Sequence, residues 1–192
     1  MVRWKPGARE RIVLAALDLF TEQGYDDTTV AQIVERAGIT KSTFFRYFPD
    51  KRDVLAAGQE TLSQLLTEGI AGAPEDASPL EMVSAGLVRV SGAMGPTNRE
   101  LAPRVEAAIA SHAELQERNA LKVVGLAAAM NEALVERGVA EPMAHVAAEL
   151  GVLAFKRAFA QWLEAAPGDG HELATCALAA LEELRRASAS LS

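Results

Sequence analysis

The sequence predicts an all-α protein, on three observations. Of the 192 residues, 49% are hydrophobic but only 5% are aromatic. Apolar residues recur three and four positions apart along most of the chain, which is the spacing of amphipathic helices, and no sustained alternation predicts a strand. Gly and Pro separate these stretches as they do at helix ends. We expect about nine helices in two domains, residues 1–52 and 53–192.

The first helix is expected from about Pro6 to Gln23. Its apolar residues fall on one face and are Ile12, Ala15, Ala16, Leu19 and Phe20. Gly24 follows directly, and a glycine there ends a helix at no steric cost. This helix is expected to be structural.

Two short helices come next, in the stretch TTVAQIVERAGITKSTFFRYFPDK, residues 28–51. Thr28 is the expected N-cap of the first of them, which ends at Gly38. Thr40 offers its hydroxyl to the first turn of the second, which stops before Pro49 because a proline disfavours helical geometry at the residue before it. A helix of about two turns is marginal alone, so neighbouring helices must hold it.

The second short helix has two unlike faces. Phe44 and Phe48 lie four apart and can pin it to its neighbours. The opposite side combines cations, a hydroxyl and aromatic rings: Lys41, Ser42, Phe45, Arg46 and Tyr47. This arrangement is typical of a helix-turn-helix whose second helix enters the major groove of DNA. The alternative is a core helical hairpin whose charges are simply solvated.

The segment from about Arg9 to Leu55 resembles the N-terminal DNA-binding domain of the TetR family of bacterial transcriptional regulators. The residues that carry the resemblance are EQGYDDTT (22–29), the AGITKST turn, the FFRYF run and the following PDK. The match covers about a quarter of the chain. It implies a homodimeric repressor that a ligand releases from DNA, with a three-helix DNA-binding domain followed by a larger helical domain for ligand binding and dimerisation.

The resemblance implies, and the geometry allows, phosphate contacts from Thr29, Tyr47 and Lys51. Phosphate contacts position a protein on DNA without reading its sequence.

Base reading is expected from the face of the second short helix. Lys41 and Arg46 can donate to guanine O6 and N7, and Phe45 can pack on a thymine methyl. Thr40 and Ser42 can reach either backbone or base.

The net charge of −7 is unevenly divided. Residues 1–52 hold nine Lys/Arg against seven Asp/Glu, whereas the remainder holds ten against nineteen. The sequence therefore predicts a basic tip on an acidic body, with DNA attracted to the tip. Binding is expected to weaken steeply with salt.

Further helices are expected beyond Pro49. Their approximate ranges are 50–72, 79–94, a helix interrupted near Pro103 that ends near 111, 114–137, 142–165 and 169–187. Ser78, Pro79 and Glu81 form a compact start signal for one of them. The 50–72 helix is expected to act as a lever between ligand and DNA.

The last two helices are expected to form the homodimer contact. The final helix carries a smooth stripe of small and apolar residues: Leu173, Cys176, Ala177, Ala180, Leu181 and Leu184. Such faces allow close helix approach, and the resemblance implies a four-helix bundle built from this pair in each subunit. The alternative is that the stripe completes the core of a single chain.

The second domain is expected to bind a small hydrophobic effector. Candidate ligand-binding residues are Leu66, Leu87, Val90, Val105, Ile109, Leu126, Met130, Phe159 and Trp162, with Arg89 and Arg104 as polar candidates. The segments RVEAAIASHAELQERNALK (104–122) and AFKRAFAQWLEA (154–165) resemble the acyl-CoA-like ligand-binding domain of one TetR subfamily, which includes mycofactocin-type regulators. A planar hydrophobic drug is the competing effector class.

Other function classes lack support in the sequence. No HExxH, GxSxG, Walker or GxGxxG pattern occurs and the three histidines are scattered, so we expect no enzyme, no metal site and no cofactor. One cysteine, no signal peptide and no long apolar run favour a cytoplasmic protein without a membrane span. The alternative function is a helical lipid- or metabolite-binding protein without sequence-specific DNA binding.

Overall fold

The computed structural model describes residues 7–56, 58–165 and 172–190. Within these ranges the regular elements are all helical, which confirms the predicted fold class. The α-helices are α1 (Ala8–Gln23), α2 (Val30–Ala37), α3 (Lys41–Tyr47), α4 (Gln59–Ala71), α5 (Pro79–Gly92), α6 (Pro96–Ser111), α7 (Ala113–Glu136), α8 (Glu141–Glu164) and α9 (Leu173–Ala189). None of these helices is both long and apolar enough to cross a bilayer.

Local capping explains several helix starts. Thr40 caps α3 as predicted, accepting a hydrogen bond from the Thr43 N–H at 3.2 Å. Ser78 caps α5 within a capping box closed by Glu81.

The predicted cap of α2 was wrong by one residue. Thr29 is the N-cap, because Gln32 lies three residues on and closes a capping box with it. The Thr28 hydroxyl is buried instead and donates to the Gly24 carbonyl at 2.7 Å.

The link after α3 also differs from the expected helix over 50–72. A separate 3₁₀ helix covers Lys51–Val54, and α4 begins only at Gln59. Gly58 has a φ of 93°, a conformation that interrupts helical geometry and favours glycine.

The expected interruption of a helix near Pro103 was wrong. Helix α6 runs continuously from Pro96 to Ser111 with Pro103 inside it. Packing of Leu101 and Val105 against the core of the first unit holds the helix where the proline removes one backbone bond. The expected start of the last helix, near residue 169, lies outside the described residues.

The described residues divide into two compact units. The first unit contains residues 7–56 and 101–121, and the second contains 58–100, 122–165 and 172–190. The sequence placed the boundary after residue 52 and residues 101–121 in the second domain. Helices α6 and α7 therefore each contribute residues to both units.

The core of the first unit is formed by α1, α2, α3 and the 101–121 segment. Its fully buried side chains include Ile12, Leu17, Ile33, Phe44 and Leu115.

The second unit is built on two closely packed helix pairs, α4 with α5 and α8 with α9. Gly69 and Gly86 allow the first pair to approach, since a Cβ added at Gly69 would lie 2.5 Å from the Gly86 Cα. Arg137 donates to the carbonyls of Ile70, Ala71 and Ala73 at 2.8–3.0 Å and so fixes the end of α7 to the end of α4.

The small-residue stripe of α9 does not form an outward dimer face, which corrects the expectation for this stripe. All six of its residues are buried within the core of the single chain. Helix α9 turns this side toward α8 and α5, its close neighbours. Periodicity identified the stripe as a contact surface, but it could not identify the partner that covers it.

Candidate nucleic-acid interface

Helix α3 is short but firmly held. Phe44 is 0% exposed, and Phe48 is buried beside it with a ring-centroid distance of 5.8 Å. The N-terminus is capped by Thr40, and the chain turns extended at Phe48 before Pro49. The two buried rings supply the support that a seven-residue helix lacks alone.

The opposite face of α3 points outward as predicted. Lys41, Ser42 and Arg46 are exposed, and Phe45 shows 54% of its surface. The Arg46 guanidinium lies 5.0 Å from the centre of the Tyr47 ring, so the two side chains form one cationic and aromatic surface. An exposed Phe in such a setting is available to pack on a flat apolar group, while the cations can donate to acceptors.

Thr29 and Thr40 serve as caps and are exposed at the starts of α2 and α3. The Thr40 hydroxyl lies 2.9 Å from that of Thr43 and 3.4 Å from that of Ser42. These hydroxyls surround helix N-termini, where unpaired backbone N–H groups also point outward.

Lys51 is engaged within the first unit. Its ammonium donates to the carbonyls of Tyr25 at 2.7 Å and Thr28 at 2.8 Å, and it lies 4.1 Å from the centre of the Tyr25 ring. These bonds fix the turn that joins α1 to α2. Sequence reasoning assigned Lys51 to DNA and missed this second task, because both carbonyls lie more than twenty positions away in the chain.

Tyr25 was also missed by sequence reasoning. Its ring is buried against Phe20, and its hydroxyl donates to a Glu114 oxygen at 3.0 Å. Burial, with the Glu114 hydrogen bond next, raises the pKa of the Tyr25 hydroxyl. It therefore remains a neutral donor at physiological pH.

Most of the candidate ligand-binding residues lie in the core of the second unit. The buried ones are Leu66, Leu87, Val90, Leu126, Met130 and Trp162. Phe159 is half-buried, with its ring centroid 5.6 Å from that of Trp162. Arg89 is largely exposed and forms an ion pair with Glu68.

Three other candidates lie in the first unit. Arg104 donates to Asp18 at 2.6 Å, and Val105 and Ile109 pack against the helix-turn-helix core. These three residues therefore belong to a different unit from the other candidates.

The second unit has an outward groove of about 380 Å³ between α7 and α8. Its lining residues are Val123, His145, Val146, Glu149, Leu150, Val152, Leu153 and Lys156. Met143, at 58% exposure, extends the apolar surface along α8.

Three polar groups of the second unit have no protein partner among the described residues. Ser91 Oγ and Asn131 Oδ1 are buried and have no hydrogen-bond partner. Lys122 forms no hydrogen bond or ion pair there, and burial lowers the pKa of its ammonium. Unsatisfied buried polar groups are uncommon in native proteins and call for an explanation.

Comparison with known proteins finds a family match for part of the first unit. Residues 12–57 match the family model of bacterial regulatory proteins, tetR family. The HTH-type transcriptional regulator TcmR of Streptomyces glaucescens is 32% identical over 84 residues, which is 44% of this chain and 37% of TcmR. HbdR of Aromatoleum sp. (strain CIB), another HTH-type transcriptional regulator, is 45% identical over 47 residues, 24% of this chain and 20% of HbdR. The matched part thus spans about a third or less of these relatives.

Solved structures extend the likeness to the whole fold. The transcriptional regulator FadR from Bacillus subtilis, in complex with stearoyl-CoA, has a TM-score of 0.56 at 19% identity, covering 90% of this chain and 95% of that one. A putative TetR-family regulator from Syntrophomonas wolfei gives 0.54 at 20% identity, with 92% and 94% covered. Residues 12–57 therefore resemble the tetR-family regulatory proteins in sequence, and the chain shares its overall fold with these two regulators.

Proposed function

We propose that this chain is a ligand-responsive transcriptional repressor that binds a near-palindromic operator as a homodimer. The outward face of α3 is the observation that carries the proposal. Lys41, Phe45 and Arg46 are exposed on a helix that the buried Phe44 holds in place. A recognition helix must present such groups rigidly to the major groove.

Within the interface, base reading belongs to α3. Lys41 and Arg46 donate to guanine, Phe45 packs on a thymine methyl, and the hydroxyls of Thr40 and Ser42 bond to backbone or base.

Thr29, Tyr47 and Lys51 bind phosphates. The Lys51 ammonium donates to the carbonyls of Tyr25 and Thr28 at 2.7 and 2.8 Å and to that of Asp26 at 3.5 Å. Because an ammonium has three N–H groups, a phosphate oxygen would replace the Asp26 carbonyl, the most distant of the three acceptors.

A second copy docks through the last two helices, chiefly on the outward face of α8. One short recognition helix contacts few bases, whereas two related by symmetry read half-sites ~34–36 Å apart. The exposed apolar residues of this face are Met143, Val146 and Leu153 on α8, with Leu178 on α9.

The charges of this face are self-complementary. Glu149 and Lys156 both line the groove on α8, one on each side of Leu153. When two copies of α8 cross antiparallel on a two-fold axis, Glu149 of each copy faces Lys156 of the other. An isologous contact therefore pairs these charges twice.

The second unit also takes the effector. A bound molecule with hydrogen-bonding groups would satisfy Ser91 and Asn131, and an anionic group would pair with Lys122. The surrounding core is apolar, so the effector is small and mainly hydrophobic, with an acyl-CoA-like molecule as one candidate and a planar hydrophobic drug as the other.

Effector binding releases the operator by displacing α4 and changing the spacing of the two recognition helices. The loss of operator affinity equals the effector's preference for the released conformation over the DNA-bound one.

An electrophoretic shift with DNA from upstream of the chain's own gene tests the proposal against a random fragment of equal length. A repressor shifts the upstream DNA at a much lower protein concentration, and moderate salt weakens both complexes steeply. A helical carrier of lipids or metabolites would bind both fragments equally weakly. Mass spectrometry of molecules that co-purify with the protein then identifies effector candidates for release assays.

A further inference from the structure

Residues 101–121, where α6 ends and α7 begins, form a segment that we name the α6–α7 elbow. The elbow packs on the helix-turn-helix core through Leu115, which is 1% exposed, and through the half-buried Leu101, Val105 and Ile109. It is therefore an integral part of the first unit.

Polar side chains of the elbow contact the turn that joins α1 to α2. Glu114 accepts the Tyr25 hydroxyl at 3.0 Å. His112 Nε2 lies 2.9 Å from Asp26 Oδ1, and the His112 ring is 4.4 Å from that of Tyr25, centroid to centroid. Two adjacent residues of the turn are thus each bonded to the elbow.

The elbow also contacts the segment that follows the recognition helix. Arg118 donates to Asp53 at 2.6 Å, within the 3₁₀ helix Lys51–Val54. Both ends of the α2–α3 pair are consequently tied to the same elbow, one before α2 and the other after α3.

Tyr25 connects the elbow to the DNA-facing residues. Lys51 lies over its ring and bonds to its carbonyl and to that of Thr28. Thr28 directly precedes Thr29, the cap of α2. A displacement of Glu114 would therefore move Tyr25, and with it Lys51 and Thr29, two of the proposed phosphate ligands.

We propose that Tyr25, His112 and Glu114 are positioning residues for operator binding, through which the elbow sets the placement of the α1–α2 turn and of α2. This inference rests on the proposed function. None of the three residues is proposed to touch DNA, so their loss lowers affinity without removing a phosphate contact.

The test compares Glu114→Ala with Glu117→Ala in the full chain. Both residues are exposed acids of α7, but Glu117 has no side-chain partner among the described residues. Removing an acidic charge near DNA strengthens binding if only electrostatics matter. We expect Glu114→Ala to weaken operator binding about fivefold with an unchanged salt dependence, and Glu117→Ala not to weaken it.

Two further measurements separate positioning from general instability. Tyr25→Phe should reproduce the loss of Glu114→Ala, and the double variant should lose no more than either single one, because both remove the same hydrogen bond. Amide hydrogen exchange over residues 24–32 should accelerate in Glu114→Ala while the melting temperature stays that of Glu117→Ala.

Equal operator affinities for Glu114→Ala and Glu117→Ala would overturn the inference and leave the proposed function standing. An unsubstituted chain that binds no operator would overturn both. If Glu114→Ala lost operator affinity together with a lower melting temperature and faster amide exchange throughout the chain, the inference would also be overturned. That pattern would indicate that the Tyr25–Glu114 hydrogen bond is merely structural.

Discussion

The two units of the molecule differ in how far their polar groups are paired and their apolar groups are buried. In the first unit the charged side chains behind α3 are paired, as Arg118 is with Asp53 and Lys51 with two carbonyls. In the second unit Ser91 and Asn131 have buried atoms without partners, and α8 exposes Met143 and Val146.

This difference indicates what each unit requires. The first unit satisfies its own groups and presents a rigid face, which suits the proposed reading of DNA. The second unit has unsatisfied groups inside and an apolar face outside. Such features are expected of a domain that is completed by a small molecule and by another protein surface.

Replacing Phe44, whose ring lies at the centre of the first unit, should destabilise that unit. Phe44→Ala removes a fully buried side chain and should lower the free energy of unfolding by ~3–5 kcal/mol. Chemical denaturation followed by circular dichroism measures this loss. Phe45→Ala is the matched control, because that ring is 54% exposed and should affect DNA binding but not stability. Equal stability of the two variants would refute the assignment of the two faces.

A charge introduced on the outward face of α8 should dissociate the proposed homodimer. Val146→Glu places a carboxylate on a surface that is 56% exposed in the single chain but covered in the proposed dimer. We expect a monomer by sedimentation and an operator affinity lower by about 100-fold, because the two half-sites are no longer held by one linked molecule.

Val88→Glu is the control for that substitution, since Val88 is also an exposed valine but lies on α5, at 44% exposure. It should leave the dimer intact. If Val88→Glu dissociates the dimer and Val146→Glu does not, the dimer face lies elsewhere.

The contribution of Arg46 to base preference can be measured separately from its contribution to overall DNA affinity. Arg46→Ala should cost ~1–3 kcal/mol at one base-pair position and relax the preference there. Binding to a library of operator variants measures it. A uniform loss at every position would instead assign Arg46 to the phosphate backbone.

Lys51→Met should reveal the two tasks of that residue. We expect the free energy of unfolding to fall by about 1 kcal/mol as the carbonyls of the α1–α2 turn lose their donor, and the salt dependence of DNA binding to fall by about one phosphate contact. Operator and random DNA should be affected alike. An unchanged salt dependence would limit Lys51 to its role in the turn.

The residues of α3 show how much of the interface could be predicted from the sequence. Phe44 and Phe48 were expected to face inward and Lys41, Phe45 and Arg46 outward, and the structure confirms this. A helix as short as α3 has a simple pattern, and its caps and its terminating proline are local signals.

Lys51 and Arg104 show what could not be predicted from the sequence, namely the distant partners of a cationic side chain. Lys51 was assigned to a phosphate because the resemblance implies that contact, and Arg104 was assigned to a ligand because a cation in an apolar helical stretch has no visible partner in sequence. The structure gives Lys51 the carbonyls of Tyr25 and Thr28, and gives Arg104 the carboxylate of Asp18. These partners lie between 23 and 86 positions away, so no local pattern could indicate them.

The sequence by itself determined the helices, most of their ends and the two faces of α3, because helical period and capping act over a few neighbouring residues. Only the tertiary structure decided that the α9 stripe lies in the core of its own chain and that residues 101–121 pack with the helix-turn-helix. An apolar face in the sequence indicates only that the face is buried. Which distant helix buries it depends on how all the helices pack together.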